Sequence, residues 1–546
     1  MKRIAAFLLV LALLVCSVPA SAQEGSFSDV PPTHWAYSVV ERAKEYGLMI
    51  GDNGRFGPEL SLLRCEFVAM LCRMFLWELQ SPETPSYTDV PPDPAIWYYS
   101  SVETALSHGA LERTDSFRPT DPITREEMAI MLVRALGYDQ LAQAGYEINL
   151  PFSDVTENLG YIALAWQIGM IEGYTIDGQL VFSPHDSASR DQAAAMLIRV
   201  YDRYISKIDW LHGFYALSSY NQINLAGSMD GVSLGWARLE SDPNNRPFIN
   251  TTSKNGNAWT VPKDPDAALS YFKENHIPYH LNIFSTDKTI LDDKTSRRQA
   301  VDAVVAAAKN YCGVTMDFET LRAADKENFT AFMTALRSAL PEGTPLYVCV
   351  PPVVPNGAYY DGYDLRALGE LCDKVILMAH DYQYTSVPAS YIGTTRTNSP
   401  LTPFNKIYYA LAAITDPETG VADRSKLALA ISFGSVGWKV NAADRLVSTS
   451  SVHPSPSTVI TRLRQKDTLF GWSDLHRNPY VYYTTESGAR YRLWYENERS
   501  VMDKIELAQM FGITGVSLWR LGLVPDYNDE GLEYNVWSAL LSDRQP

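Results

Sequence analysis

The chain has 546 residues, more than one ordinary domain accommodates and enough for three or four packed units. It is 46% hydrophobic, 20% charged and 12% aromatic, a balance that excludes a disordered chain. Its 46 basic residues face 63 acidic ones, a formal charge of −17, so phosphate backbones are repelled and no nucleic-acid partner is expected. Thirty-two tyrosines and twelve tryptophans lean toward carbohydrate faces.

Lys2 and Arg3 precede an apolar run over 4–15, and Ala20-Ser21-Ala22 supplies a small-residue cleavage site. This is the layout of a secretory signal peptide over 1–22, and the run is too short to span a bilayer. No later stretch reaches membrane-spanning length, so an exported chain with no transmembrane anchor is expected. Five cysteines follow the leader: Cys65, Cys72, Cys312, Cys349 and Cys372. Their odd number and wide spacing oppose a disulfide framework and a zinc site, and each is expected to be a small buried hydrophobe. Neither metal nor cofactor is anticipated.

The next two hundred residues repeat. Phe27-Ser28-Asp29-Val30 recurs as Tyr87-Thr88-Asp89-Val90 and as Phe152-Ser153-Asp154-Val155. Each start leads through a helical stretch to a Gly-containing turn (Gly47, Gly109, Gly169), then to Phe56-Gly57-Pro58, Phe117-Arg118-Pro119 or Phe182-Ser183-Pro184. Arg64, Arg125 and Arg190 then open a second amphipathic helix in each copy. Two helices around a loop cannot bury a core alone, so the copies are expected to pack together.

These copies resemble the S-layer homology domain of bacterial surface proteins, with Ile123-Thr124-Arg125-Glu126-Glu127 as the best form of its signature. The domains implied are 25–80, 85–140 and 150–204, all helical. Trp35 and Trp97 match the opening aromatic, and Tyr161 is the third copy's counterpart. The resemblance implies noncovalent attachment to secondary cell-wall polymers through Arg64, Arg125, Arg190, Trp35 and Trp97. A guanidinium beside free helix N–H groups suits a carboxylate, although each arginine could instead pair with an acid of the next copy.

From about residue 209 to the end the pattern changes. Apolar segments at 211–216, 231–237, 278–284, 313–319, 345–351, 374–381, 426–433 and 514–519 alternate with helical stretches. Eight such units predict a (β/α)8 TIM barrel with its site at the C-terminal strand ends. An insertion at 434–493, before the last strand, contains a hairpin signal at 479–485 and 489–494 and would wall a groove. Within 313–319, alternation puts Thr315, Asp317 and Glu319 on one face and Val314, Met316 and Phe318 on the other. The polar face belongs in the lumen, and two close carboxylates let Glu319 hold a proton while Asp317 is charged.

This constellation resembles glycoside hydrolase family 18, which includes chitinases and spore-cortex or cell-wall N-acetylglucosaminidases. The family's Asp-x-x-Asp-x-Asp-x-Glu reads here Cys312-x-x-Thr315-x-Asp317-x-Glu319. The segments around Met378-Ala379-His380-Asp381, Trp494-Tyr495-Glu496-Asn497 and Ser517-Leu518-Trp519 also match. The resemblance implies that Glu319 protonates the glycosidic oxygen while Asp317 steadies the substrate's acetamide, the attacking group. It also implies that Trp519 floors the pocket, with His380 and Asp381 where a tyrosine normally holds the acetamide. Tyr215, Tyr382 or Tyr384 would compensate for that tyrosine, and Thr315 would also line the site.

Two readings stay open. One is a surface-anchored hydrolase of β-1,4-linked N-acetylhexosamine glycans such as peptidoglycan or chitin-like chains. The other is a degenerate barrel that grips glycan without cutting it, which Cys312, Thr315 and His380 favour.

Overall fold

The structure, a computed structural model, describes residues 25–93, 95–144, 150–216, 219–354, 361–382, 386–395 and 399–544. The expected leader at 1–22 and Tyr384 lie outside the described residues. Two compact units result. One holds the described residues up to Ala135 with Ser183–Ile198; the other holds Leu136–Phe182 and the described residues from Arg199 onward.

In the first unit the repeat motifs have a direct physical use. Asp29 accepts from the Phe56 and Gly57 N–H groups at 2.7 and 2.8 Å, and Asp89 accepts from Phe117 and Arg118 at 2.8 and 2.7 Å. Each aspartate thus ties the start of its copy to the Phe-x-Pro turn. The copies then join in a ring: Leu62 donates to the Ala188 carbonyl, Ala188 to Ile123 and Ile123 to Leu62, at 2.8–2.9 Å. Each backbone edge answers the next, so no copy keeps an open edge at this position.

The second unit is built on eight parallel strands: β1 (Trp210–Ala216), β2 (Gly231–Ser241), β3 (Tyr279–Ser285), β4 (Gly313–Phe318), β5 (Leu346–Val350), β6 (Lys374–Leu377), β7 (Leu427–Ser432) and β8 (Gly515–Trp519). They pair in order, and β8 closes onto β1, giving the TIM barrel the alternation predicts. Outward-facing Phe318 packs on Phe329 and Phe332 of helix Lys326–Ala339, at ring distances of 5.7 and 6.5 Å. The lumen is filled in layers by Phe214, Tyr347, Cys349 and Ala430, with Trp210 below and Trp519 above.

Between β7 and β8 the insertion forms a five-stranded antiparallel sheet whose centre is the expected hairpin, Asn478–Thr484 with Arg490–Trp494. Buried Val481 and Leu493 pack on Val459 and Ile460 of helix Pro456–Leu463, and Trp438 and Trp494 lie in a second buried cluster. The described residues of 136–182, which run from the end of the second copy into the third, cluster with the barrel. Arg477 shows how: it donates to the Gly137 carbonyl at 2.7 Å and lies over the Tyr138 and Phe404 rings. A Cβ on Gly137 would come within 2.2 Å of that guanidinium, and the glycine has φ +73°. The third copy also carries a two-stranded hairpin, Tyr174–Ile176 with Gln179–Val181, so the repeats are not wholly helical.

Four of the five cysteines are buried as expected, but Cys312 is exposed. It lies just before β4, at the N-terminal end of the barrel strand, where the chain still runs over the surface.

Candidate active site

The lumen is phased by hydrogen bonds. His212 on β1 reaches Ser517 through Nδ1 and Ser233 through Nε2, both at 2.8 Å, and Ser233 meets Thr315 at 2.7 Å. Thr315 is therefore enclosed in a hydroxyl–imidazole chain beneath the mouth, not at the substrate surface where it was expected. Burial holds His212 well below its usual value, and His280 adds to this.

One step up β4 sits Asp317, buried, with Oδ1 lacking a hydrogen-bond partner among the described residues. Glu319 follows at the strand's end, half-buried, its N–H donating to the Ser285 carbonyl at 2.9 Å. The Tyr363 hydroxyl donates to the Phe318 carbonyl at 2.6 Å and so fixes the backbone between the two carboxylates. Burial pushes Asp317 well above the carboxylate range, and the charge of Glu319 pushes it further. Burial also raises Glu319, opposed by His380 and reinforced by Asp381. Desolvation thus works against charge on both carboxyls of the pair, and Asp317 is the more deeply buried of the two.

His380 and Asp381 lie just beyond β6 and contact each other, Nδ1 to Oδ2 at 2.8 Å. Asp381 has φ +59° and is mostly exposed; although burial works to raise its carboxyl, the hydrogen bond and charge of His380 bring it below its ordinary value. A carboxylate only accepts, so Nδ1 carries the proton in this contact.

An aromatic wall completes the mouth. Trp519, joined to Arg520 by a cis peptide, packs against Phe214 at 5.2 Å and Trp259 at 5.7 Å; Trp259 stacks on Phe284 at 5.0 Å. Trp519, Trp259 and Phe284 keep part of their surface open. Sequence reasoning missed Trp259, which lies in an irregular loop with no periodicity. Gly235 was the available signal, because a Cβ there would come within 2.8 Å of the indole.

Tyr215 does not join this wall. It faces outward beneath helix Pro265–Glu274, 5.4 Å from Phe272 and 6.3 Å from Trp236. Its neighbours His212 and Phe214 take the inward positions, so alternation sends Tyr215 to the helix layer. Tyr382 lies half-buried with its hydroxyl 3.5 Å from the Lys406 carbonyl and the Lys406 ammonium 5.2 Å from its ring.

Glu496 belongs to a buried framework instead. It pairs with Lys504 at 2.7 Å and accepts from Ser500 at 2.6 Å, Asn478 at 2.8 Å and Thr402. This network ties the insertion to helix Glu498–Met510.

In the repeats, Arg64 donates from Nε to the Phe117 carbonyl at 2.9 Å and pairs with Glu127. Arg190 does the same with the Phe56 carbonyl at 2.9 Å and Glu66 at 3.3 Å. Both arginines clamp the next copy. The helix-start N–H groups are also taken: those of Arg64, Arg125 and Arg190 donate to the carbonyls of Asp121, Asp186 and Leu60. This corrects the expectation of free N–H groups, because the ring of copies consumes them. Trp35 and Trp97 stand 62% and 60% exposed. Tyr161 is buried, and Leu159 is the exposed residue of the third copy there, since it opens the helix that Tyr161 anchors. A groove of about 310 Å³ opens beside Arg64, Arg118, Arg134, Tyr87 and Glu127.

Residues 284–523 match the family model for Glycosyl hydrolases family 18, and residues 26–68 and 86–129 match the S-layer homology domain. The chain therefore carries a family 18 domain behind S-layer homology domains, with the first two of its three repeat copies matched. The cortical fragment-lytic enzyme of Bacillus subtilis (strain 168) is 25% identical over 243 residues, 43% of this chain and 53% of that protein. The chain thus spans about half the length of that curated relative. Among solved structures, the chitinase from Chromobacterium violaceum ATCC 12472 has a TM-score of 0.50 at 21% identity, covering 61% of this chain and 98% of that one. The Bacillus cereus spore cortex-lytic enzyme SleL has a TM-score of 0.50 at 16% identity, covering 70% and 82%. At these identities the likeness is one of fold.

Proposed function

We propose that the protein is a cell-surface glycosidase that cleaves β-1,4-linked N-acetylhexosamine glycans, with the substrate's acetamide as the nucleophile. The observation that carries this reading is the Asp317–Glu319 pair at the C-terminal end of β4, both carboxyls raised by burial, in a barrel whose mouth carries Trp519 and Trp259. Glu319, its proton retained by burial, donates to the glycosidic oxygen as that bond breaks. The acetamide oxygen bonds to the anomeric carbon, and Asp317 stabilises the positive oxazolinium ion. Water then opens the ring with Glu319 as base, and the product keeps its β configuration. Trp519 and Trp259 offer apolar faces to the sugar rings.

The repeats are the anchor in this reading. Three copies over 25–204, exported by the leader at 1–22, attach the chain to an anionic secondary cell-wall polymer. The groove lined by Arg64, Arg118 and Arg134 supports binding of a sugar acid, and exposed Trp35 and Trp97 offer stacking faces for sugar rings. Arg125 belongs to the same set, and its copy carries the fullest signature.

The test is digestion of purified peptidoglycan and chitooligosaccharides, with product mass analysis, by the full chain and by Glu319→Gln. Activity is expected to fall about 10²–10⁴-fold in the variant while glycan binding survives. Glycans lacking the acetamide should resist even the unmodified protein. If both forms are equally inert yet bind N-acetylated glycan, the barrel is a binding module.

A further inference from the structure

Asp317 has an unassigned neighbour. On β3, His280, Asn282 and Phe284 face the lumen: Phe284 stacks on Trp259, and His280 lies 4.2 Å from the Tyr347 ring. Parallel pairing sets Asn282 opposite Thr315 and Phe284 opposite Asp317. Asn282 therefore stands on the lumenal face one register step below Asp317, on the adjacent strand. Its side chain is fully buried, and among the described residues both Nδ2 and Oδ1 lack a hydrogen-bond partner. Asp317 Oδ1 is buried and, among the described residues, unpartnered too. Two unpaired polar side chains on neighbouring lumenal positions would cost several kcal/mol if neither ever answered the other.

The other groups facing Asp317 are poorly suited to help it. Cys349 on β5 is a thiol held far above its usual value by burial and by both carboxylates. The Tyr363 hydroxyl is committed to the Phe318 carbonyl, and Thr315 to Ser233. Glu319, on the same strand, carries the same sign of charge. A side-chain amide differs from all of these, because one half-turn exchanges its acceptor for its donors.

We propose that Asn282 is the positioning residue for Asp317, its amide turning to donate to the Asp317 carboxylate as charge develops during reaction. It holds Asp317 in place while the charge develops, without a second carboxylate to compete for the proton. This rests on the hydrolase reading above, and the experiment separates the two.

The full chain is labelled with 13C at aspartate carboxyls, and the Asp317 signal is assigned by its loss in Asp317→Asn. Asn282→Leu removes both hydrogen-bonding functions at similar volume. The Asp317 titration should move to higher pH, because the charged form loses its donor. On an N-acetylglucosamine oligomer, kcat should fall about 10- to 100-fold with KM nearly unchanged. Asn282→Asp, a second variant that retains polarity, should split the Asp317 titration into two coupled steps. An unmoved Asp317 signal in folded Asn282→Leu, or an uncoupled one in Asn282→Asp, overturns the proposal. An unmodified protein inert on every glycan would sink the hydrolase reading alone, since the titration still decides the role of Asn282.

Discussion

Glu506, on helix Glu498–Met510, is a carboxyl lifted from an ordinary 4.5 to about 7 by burial, with Asp503 adding to the rise. A raised acid binds its proton more tightly when folded, so its contribution is full below pH 4.5 and is lost as pH rises through 7. The loss amounts to about 3 kcal/mol. Glu506→Gln should therefore match the unmodified chain at pH 4 and gain stability at pH 8, as measured by urea unfolding at the two pH values. Asp317 and Glu319 were legible at this scale because β4 alternates polar with apolar residues and so declares its inward face. Strand β1 carries aromatic residues on both faces, leaving its phase open, and Tyr215 was misplaced for that reason.

Individual elements are held by contacts that repeat or converge. Asp89 anchors the Phe117 turn with two backbone bonds, so Asp89→Ala strands two N–H groups. A cost of about 1–3 kcal/mol is expected, read as a lower denaturation midpoint with an unchanged slope. The Glu496–Lys504 pair is nearly inaccessible on both sides and carries five further bonds to Thr402, Asn478 and Ser500. Removing one partner leaves a buried charge. Lys504→Met should cost about 3–5 kcal/mol, whereas replacing both residues with apolar ones of similar volume should recover much of that. The Trp494-Tyr495-Glu496-Asn497 motif was visible in the sequence, but its role as a brace was not. A buried pair and an active-site pair use the same residue types, and burial separates them.

Across the barrel unit, three imidazoles oppose the carboxyl trend. Burial lowers His212 well below its usual value and takes His280 and His476 to about 4. These groups stay neutral when folded, so their contribution is present above pH 6.5 and is lost as pH falls through 4. His280 alone accounts for about 3 kcal/mol at the acid end. A thermal-unfolding series should show stability falling on both sides of a maximum, and His280→Gln should flatten the acid limb.

The sequence by itself determined the three-copy repeat, the eight strands, the insertion and the carboxylate pair, because each rests on local periodicity or spacing. Tertiary structure alone decided what depends on residues far apart in the chain. It sent Arg64 and Arg190 to the next copy, since three short helical units can bury their edges only against one another. It brought Trp259 to the mouth and set Asn282 opposite Thr315 on the strand next to that of Asp317, because barrel closure sets which lumenal positions meet. It also grouped residues 136–182 with the barrel, where Arg477 finds the Gly137 carbonyl and two aromatic rings more than sixty positions away. Periodicity fixes which face of an element is buried; the partner on that face is set by packing across the whole chain.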